Sequence, residues 1–309
     1  MDQTGKMQGK KLIAFIIHGK IAAKEKLAEK AQTLFQGLGP LIFVVTQSEK
    51  NATLCAIEAI ESGASVLIAV GGDGTVNEVA NAILFHPNRS KLKMGILPFG
   101  KGNDFVRSLG IRRDLTMLCD NIKLGKSKTI DAGKLEFVGK EGETSQRYFV
   151  NIADVGLGGL ATQMLRAGKP LWSSNLTYFL VIIKSFMKYR LANVRFSSHG
   201  FYHEGKVMSI CMANGRYFAS GLGIAPEAKL DDGKLDWVIL GEISIWDYLK
   251  NIPRLKRAKK IRHPEVSYHR GTECNISSDV PLPIDMDGEF VGYTPMRCQV
   301  ESLVLEIIA

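Results

Sequence analysis

The sequence lacks the features of a secreted, disulfide-bonded or membrane-spanning protein. Its five cysteines are odd in number and widely spaced, and no two form a Cys-x-x-Cys pair, so neither a disulfide framework nor a zinc site is indicated. The apolar run from Leu12 to Ile17 is too short for the core of a signal peptide. No run approaches the roughly 20 apolar residues that span a bilayer. We therefore expect a cytoplasmic protein whose contact with any membrane is peripheral.

Size and charge narrow the possibilities further. With 309 residues, of which 45% are hydrophobic, the chain can bury one or two cores, and two domains are expected. The formal net charge of +9 favours anionic partners such as a nucleotide, a nucleic acid or an acidic membrane surface. Charge alone does not choose among these. We find no module typical of nucleic-acid-binding proteins, so no nucleic-acid partner is expected.

The first part of the chain alternates between apolar strands and amphipathic helices. We predict strands at 11–17, 41–45, 65–70 and 94–97, and helices at 22–36, 51–61 and 115–124. This alternation predicts an α/β domain with a doubly wound parallel sheet, whose ligands bind at the carboxyl ends of the strands. The residues that fall at those ends are His18, Gly19, Thr46 and the segments 71–78 and 100–104.

The pattern changes near residue 128, where short β-type runs begin to dominate. They include 129–136, 147–152, 194–198, 206–213, 235–240 and 273–278. These runs predict a mainly antiparallel, β-sandwich-like second domain, interrupted by a helix at 173–189. We therefore expect one domain over 1–128 and another over 129–295, with 296–309 able to complete the first.

The stretch from Ser65 to Ile83 combines a buried strand, a glycine turn and a helix. Gly71, Gly72 and Gly74 lack a Cβ, so the backbone there can adopt positive φ angles and its N–H groups can approach a ligand closely. Thr75 and Glu78 have the spacing of a capping box. An ordinary, well-capped turn is the alternative to an anion site. Asp73 favours a phosphate that arrives with Mg²⁺, since a carboxylate repels a bare phosphate.

Two further acidic segments lie in the second half. Asp231-Asp232-Gly233 could be a surface turn in a long loop. Asp287 and Glu289 flank a glycine, and at a turn this spacing lets both carboxylates reach one cation. A plain β-turn is the alternative here too.

Together these segments resemble the diacylglycerol kinase catalytic-domain family of lipid kinases, and the likeness runs from about Lys11 to the end of the chain. The family motifs are matched by GGDGTVNE at 71–78, by NGRY and P-x-A-x-x-DDG-x-LD between 214 and 236, and by DGE at 287–289. NAD kinases and phosphofructokinases carry related GGDGT segments, so the resemblance implies a first domain of that type. It also implies an ATP-dependent kinase that uses Mg²⁺ and a lipid acceptor, with diacylglycerol the leading substrate.

The resemblance assigns roles to particular residues. Asp287 would be the general base on the acceptor hydroxyl, and Glu289, Asp73 and Asp104 would form an acidic Mg²⁺ network. A structural Mg²⁺ would be bound by Asp232 and by the carbonyl groups of Lys229 and Lys234. The residues expected to contact the nucleotide are His18, Gly19, Thr46, Gly71, Gly72, Asp73, Gly74, Thr75, Asn77, Glu78, Gly100, Lys101 and Asn103.

The chain departs from the family pattern at two of these positions. His18-Gly19-Lys20 stands where the family has Asn-Pro-x-x-Gly, and Lys101 stands where it has threonine. Both positions face the nucleotide in the family, so ATP affinity or donor choice is open. Lys101 could equally add a contact to phosphate as a point charge.

A basic run without acids extends from Tyr248 to Pro264. A solvated helix face is one interpretation, and peripheral binding to an anionic membrane is the other. A homodimer is expected from the bacterial relatives. Two other functions remain open, namely a kinase for a soluble acceptor such as NAD, and a nucleotide-binding regulator without activity.

Overall fold

The computed structural model describes residues 11–47, 51–100, 102–167 and 174–309. They form two compact units. The described residues of the first unit lie within Met1–Phe99, Ile111–Thr129 and Leu305–Ala309, and those of the second lie within Gly100–Gly110 and Ile130–Val304. The assignment of nucleotide binding to one predicted domain and lipid binding to the other stays a prediction.

The first unit is built on a parallel sheet, as predicted. Its strands are β1 (Leu12–Ile17), β2 (Leu41–Val45), β3 (Ala64–Gly71) and β4 (Lys93–Pro98), in the order β2-β1-β3-β4. The last strand of the chain, β17 (Glu289–Ile307), adds Glu306 and Ile307 in parallel beside β4. The helices of this unit are α1 (Lys24–Leu34), α2 (Asn51–Glu61), α3 (Asp73–Leu84), the 3₁₀ turn Arg89–Lys91 and α5 (Leu115–Leu124).

Burial explains why these elements form. β3 is buried along almost its whole length, as expected for a strand covered on both faces. The ring of Phe15 packs against Phe35 and Phe43, with centroids 5.3 and 5.0 Å away. Helix α5 has the boundaries predicted from the sequence because both of its ends carry local signals. Asp114 accepts the N–H groups of Thr116 and Met117, and Gly125 follows with φ of 66°.

The second unit is mainly antiparallel. Its longer strands are β5 (Lys128–Gly139), β6 (Thr144–Phe149), β7 (Ile152–Gly156), β8 (Ala192–Ser198), β9 (Phe201–Val207), β10 (Ser209–Ala213), β13 (Leu235–Leu240), β14 (Val266–Gly271), β15 (Glu273–Ser278) and β16 (Pro283–Met286), joined by the first part of β17. Two short strands, β11 (Tyr217–Phe218) and β12 (Leu222–Gly223), pair with each other. The helices are α4 (Asp104–Leu109), α6 (Leu157–Ala167), α7 (Ser174–Lys188) and α8 (Ile245–Lys256).

One path through this sheet positions the candidate site. Strands follow the order β14-β13-β10-β7-β16-β17, and a branch runs from β17 through β15 and β8 to β9. Inward side chains of these strands and of β6 form a core that includes Phe149, Phe196 and Trp237. Because β7 lies between β10 and β16, residues far apart in sequence meet around it.

Candidate active site

In the first unit, the carboxyl ends of three parallel strands lie side by side. The N–H of His18 donates to the carbonyl of Val70 at 2.9 Å, and the N–H of Thr46 donates to the carbonyl of Ile17 at 2.9 Å. The Thr46 hydroxyl accepts the N–H of Gly19 at 3.1 Å. A Cβ on Gly19 would lie 2.2 Å from the Thr46 carbonyl oxygen. The predicted residues at these strand ends are therefore neighbours.

Helix α3 begins directly after strand β3. Gly72 is its N-cap in an extended conformation, and Asp73 is the first helical residue. The first-turn N–H groups of a 12-residue helix carry the positive end of the helix dipole, which favours a phosphate. A Cβ on Gly74 would meet nothing within 4 Å. This end of the helix has the chemistry of a phosphate site.

The predicted capping box at Thr75 and Glu78 is wrong. The helix starts two residues before Thr75, and its N-cap, Gly72, has no side chain to accept a bond. Glu78 instead accepts the N–H of Ala52 at 2.8 Å, in the first turn of α2. Asn77 is fully buried, and the Asn81 amide donates to its carbonyl oxygen and its Oδ1. Glu78, which was expected at the nucleotide, thus links α2 to α3, whereas the bonds to Asn77 lie within α3.

The glycine turn does not use the positive φ angles that glycine permits. Gly71, Gly72 and Gly74 are absent from the residues with positive φ in the described part of the chain. Steric crowding explains why position 71 is glycine, because a Cβ there would lie 2.4 Å from the Thr75 hydroxyl oxygen. Glycine is needed here so that the helix can approach the strand end closely.

In the second unit, Asp287 lies at the tip of the hairpin between β16 and β17. Met286 pairs with Glu289, and both Asp287 and Gly288 have positive φ, at 49° and 86°. These angles define the tight type I′ turn that Asp-Gly favours. The turn brings the Asp287 carboxylate to the chain that enters β7.

Three consecutive backbone N–H groups hold this carboxylate. Its Oδ1 accepts from Asn151 at 3.0 Å and from Ile152 at 2.9 Å, while its Oδ2 accepts from Val150 at 2.9 Å. The Asp287 N–H donates in return to the Ile152 carbonyl at 2.9 Å. The side chain predicted as general base is therefore fixed in one orientation by the chain that enters β7.

Glu289 forms an ion pair that sequence reasoning missed. The Arg147 guanidinium lies 2.7 Å from Glu289 Oε2, and the two side chains are only 20% and 13% exposed. Low exposure makes such a charge-assisted bond stronger than a surface pair. A predicted member of the Mg²⁺ network is thus already neutralised in part by an arginine of β6.

The loop that precedes α4 brings other predicted residues into the second unit. Asp104 is 7% exposed, and its Oδ2 accepts the N–H of Ser220 at 2.9 Å. Asn103 has φ of 51°, and its amide donates to the Gly100 carbonyl at 2.8 Å. Lys101 lies outside the described residues. Asp104 is therefore tied to the turn between β11 and β12.

Asn151 is a second residue that the sequence did not reveal. Besides the bond from its backbone to Asp287, its side-chain amide donates to the Tyr217 carbonyl at 2.9 Å. A Cβ on Gly215 would lie 2.1 Å from Asn151 Oδ1, so the NGRY segment must have glycine there. The family segment at 214–217 thus supports the strand that holds Asp287. The only hint in the sequence is an asparagine at the end of an apolar run.

Two buried aspartates face each other across β7 and β16. Asp154 of β7 and Asp285 of β16 occupy opposite positions in the antiparallel ladder. Burial raises the pKa of Asp154 to about 6. Burial, followed by the charge of Asp154, raises the pKa of Asp285 to about 7. The hydroxyl groups of Ser209 and Thr162 donate to Asp154 and Asp285, at 2.5 and 2.9 Å.

At the predicted structural metal position, the acidic side chain forms an ion pair with an arginine. Asp232 pairs with Arg270, and its Oδ1 accepts the N–H of Lys234 at 3.2 Å. Lys229 and Lys234 are exposed on either side. Within the described ranges, no group of three or more His, Cys, Asp or Glu side chains is placed to hold a metal ion. The Asp232 carboxylate therefore has an arginine partner in this structure, and a metal here stays a prediction.

Two protein-family models match this chain. Residues 13–135 match the model of the diacylglycerol kinase catalytic domain, and residues 152–309 match that of the YegS C-terminal NAD kinase β-sandwich-like domain. A diacylglycerol kinase from Staphylococcus aureus (strain JH9) is 33% identical over 253 residues, which cover 81% of this chain and 76% of the relative. The same values apply to the diacylglycerol kinase of Staphylococcus aureus strain Newman.

Solved structures support the fold. A diacylglycerol kinase from Bacillus anthracis str. Sterne superposes with a TM-score of 0.70 at 19% identity, covering 98% of both chains. Yeast NADH kinase superposes with a TM-score of 0.55 at 10% identity, covering 97% of this chain and 83% of that one. The class is thus a two-domain α/β and β-sandwich kinase fold of the NAD kinase type, as predicted. Within that class, the chain belongs to the bacterial diacylglycerol kinase family of lipid kinases.

None of the helices in the described part of the chain is both long enough and apolar enough to cross a membrane.

Proposed function

We propose that this protein is an ATP-dependent lipid kinase that transfers the γ-phosphate of ATP to a lipid hydroxyl. Diacylglycerol is the leading acceptor, with phosphatidic acid as the product. The observation that carries the proposal is the Asp287 carboxylate, fixed by the N–H groups of Val150, Asn151 and Ile152 at the tip of a tight hairpin. Membership of a lipid kinase family supports it.

Asp287 acts as the general base in this proposal. As the acceptor oxygen attacks the γ-phosphorus, its proton passes to the Asp287 carboxylate, the new P–O bond forms, and ADP leaves with the electrons of the broken bond. A base helps only when it is oriented toward the hydroxyl. The three N–H bonds supply that orientation, since they occupy the carboxylate edge facing β7 and leave the side chain one position.

The nucleotide is assigned to the strand ends and helix start of the first unit. Phosphate oxygens would accept N–H groups from the first turn of α3, beside His18, Gly19 and Thr46. When bound, Mg²⁺ would supply neutralisation of the phosphate charge. Asp73, Asp104 and Glu289 are the proposed carboxylates of the Mg²⁺ network. Gly100, Lys101 and Asn103 are proposed as further nucleotide contacts.

A soluble acceptor such as NAD is the second candidate, because the fold is shared with a yeast NADH kinase. The test is Mg²⁺-dependent transfer from labelled ATP to mixed micelles of diacylglycerol, phosphatidylglycerol or a sphingoid base, with NAD in parallel. Asp287→Asn should abolish lipid labelling, and Asp120→Asn, an exposed aspartate of α5, should not. Label on NAD alone would refute the lipid proposal, and ATP binding without any product would favour a regulator.

Three further features are proposed for the working enzyme. It is cytoplasmic and associates peripherally with an anionic membrane, it is a homodimer, and it binds a structural Mg²⁺ at Asp232. Sedimentation velocity tests the dimer. Thermal unfolding with Mg²⁺ or a chelator tests the metal, because a bound ion stabilises the folded state in proportion to its occupancy. An identical Mg²⁺ effect in Asp232→Asn would place the ion elsewhere.

A further inference from the structure

Helix α8 and the segment after it carry an unusual combination of side chains on one surface. Trp246 is 69% exposed, although tryptophan is among the largest apolar side chains. Lys250, Pro253 and Arg257 are also exposed and follow Trp246 at intervals of four, seven and eleven residues. This spacing places all four on one face of the helix. We call this face the α8 stripe.

The opposite face of α8 is anchored in the core of the second unit. Leu255 is 1% exposed within the core cluster, and Tyr248 packs against the same cluster. The Tyr248 ring also contacts the Phe186 ring of α7, with centroids 5.5 Å apart. The orientation of the stripe is therefore set by packing, so Trp246 is exposed because the fold holds it there.

The basic residues beyond the helix are held just as firmly. Ala258 has φ of 46°, and the N–H groups of Ala258 and Lys259 donate to Leu255 and Arg254 in a Schellman arrangement. Arg254 Nε donates to the Lys260 carbonyl at 2.9 Å, and the Ile261 N–H donates to the Tyr268 hydroxyl at 2.9 Å. The turn therefore folds the basic segment back beside the helix.

Charge on this surface is almost entirely positive. Lys260 pairs with Glu227 at 2.6 Å. The other exposed bases make no ion pair with any carboxylate in the described part of the chain; they are Lys250, Lys256, Arg257, Lys259 and Arg262. Asp247, the one acid of the helix, is turned into the N-terminal capping box with Ser244. Unpaired bases around an indole match the chemistry of an interfacial helix.

We propose that the α8 stripe is the surface by which this protein docks on an anionic bilayer, with Trp246 inserted at the headgroup level. The inference deepens the proposed function, which gives the enzyme a lipid acceptor. An anionic bilayer meets both properties of the stripe, since phosphate headgroups attract the bases and the interface accepts the indole. A duplex nucleic acid would satisfy only the charge, whereas the nucleobases of a single strand could also stack on the indole, so a single-stranded oligonucleotide is included in the test.

The experiment measures binding without ATP, so it does not depend on catalysis. Large unilamellar vesicles of phosphatidylglycerol and phosphatidylcholine are sedimented with wild type, with Lys250→Glu/Arg257→Glu and with Lys91→Glu/Lys126→Glu. The last variant makes the same charge change at exposed lysines remote from α8 in sequence. Each base near an anionic surface strengthens binding about fivefold. The stripe variant should therefore bind at least about tenfold more weakly, and the control should bind within about threefold of wild type.

Tryptophan emission tests the insertion itself. The chain has three tryptophans, and Trp237 is buried at 1% exposure. Anionic vesicles should shift the emission to the blue and expose it to quenching by brominated lipid, and both effects should be lost in Trp246→Phe. Raising ionic strength from about 0.1 M to about 1 M, which shortens the screening length from about 10 Å to about 3 Å, should release the protein.

Several outcomes would overturn the proposal. They are unchanged vesicle binding by the stripe variant, equal binding to neutral vesicles, or a wild type that ignores vesicles but binds a single-stranded oligonucleotide. Thermal unfolding of each variant verifies that it is folded. Stripe-dependent vesicle binding by a protein with no lipid kinase activity would support this surface while refuting the proposed function.

Discussion

Asp154 and Asp285 lie directly opposite each other on neighbouring antiparallel strands, and residues so paired point to the same face of the sheet. Two carboxyl groups this close do not both ionise readily in a buried site. The raised pKa values, about 6 for Asp154 and about 7 for Asp285, mean that the folded state holds protons that an unfolded chain releases near pH 4.

This pair predicts a fold that is less stable in mild alkali. Its stabilising contribution is complete below about pH 4 and is lost as the pH rises through about 6 and 7, because the folded state binds more protons there. Asp285→Asn should therefore raise the free energy of unfolding at pH 8 by about 1 to 3 kcal/mol, with little gain at pH 5. Denaturant titrations at the two pH values measure this. Equal increases in the free energy of unfolding at pH 5 and pH 8 would show that the aspartate pair does not titrate between these pH values.

Asp287→Asn should separate catalysis from ATP binding. Loss of the base should lower the rate of phosphate transfer by about 10² to 10⁴-fold, while equilibrium binding of ATP remains. One carboxylate oxygen becomes an NH₂ group that faces a backbone N–H, so the free energy of unfolding should also fall by about 1 to 3 kcal/mol. Single-turnover kinetics and denaturant titration give the two numbers. A variant with wild-type transfer would exclude Asp287 as the base.

The Arg147 and Glu289 pair should behave as a coupled unit. Arg147→Met leaves a poorly hydrated carboxylate beside an apolar chain, and we expect a loss of about 1 to 3 kcal/mol in the free energy of unfolding. Arg147→Met/Glu289→Gln should lose less than the sum of the two single changes. A double-mutant cycle measures the coupling. Strict additivity would mean that the 2.7 Å contact contributes nothing to stability.

Gly288 tests whether turn geometry controls the position of the base. At φ of 86°, a β-branched side chain is strained, whereas asparagine tolerates the left-handed region. Gly288→Val should cost about 1 to 3 kcal/mol and lower phosphate transfer in parallel. Gly288→Asn is the matched control and should retain most of both properties. No other atom would lie within 4 Å of the new Cβ, so a clash cannot explain a difference between the two.

The sequence predicted best the elements whose local signals and burial agree. Helices α2 and α5 and strands β13 and β15 have the predicted boundaries, because apolar periodicity, caps and turn residues coincide there. Helix α6 is not predicted by the sequence, and α8 enters only as the helical interpretation of the basic run from Tyr248 to Pro264, without its boundaries. Gly158 and Gly159 in the first turn of α6, and Pro253 inside α8, oppose helix formation locally, and tertiary packing overrides them.

Residues of the candidate site also differ in whether a local sequence pattern reveals them. Asp287 and Glu289 could be found because they form a compact motif. Arg147 and Asn151 could not, since each reaches its partner across about 140 residues through strand pairing that no local pattern encodes. The spacing of Thr75 and Glu78 gave a wrong capping-box prediction, because Gly72 takes the N-cap position and Glu78 contacts α2 instead.

The last residues of β17 can pair with β4 only after nearly the whole chain has been synthesised. Glu306 and Ile307 cover the open side of β4, and Glu306 also pairs with Lys93 at 2.5 Å. While a ribosome is still producing the second unit, β4 therefore presents an unpaired edge that other chains could join. We expect nascent or truncated molecules ending before Leu305 to depend on chaperones or to aggregate, even though every predicted nucleotide residue has already been made.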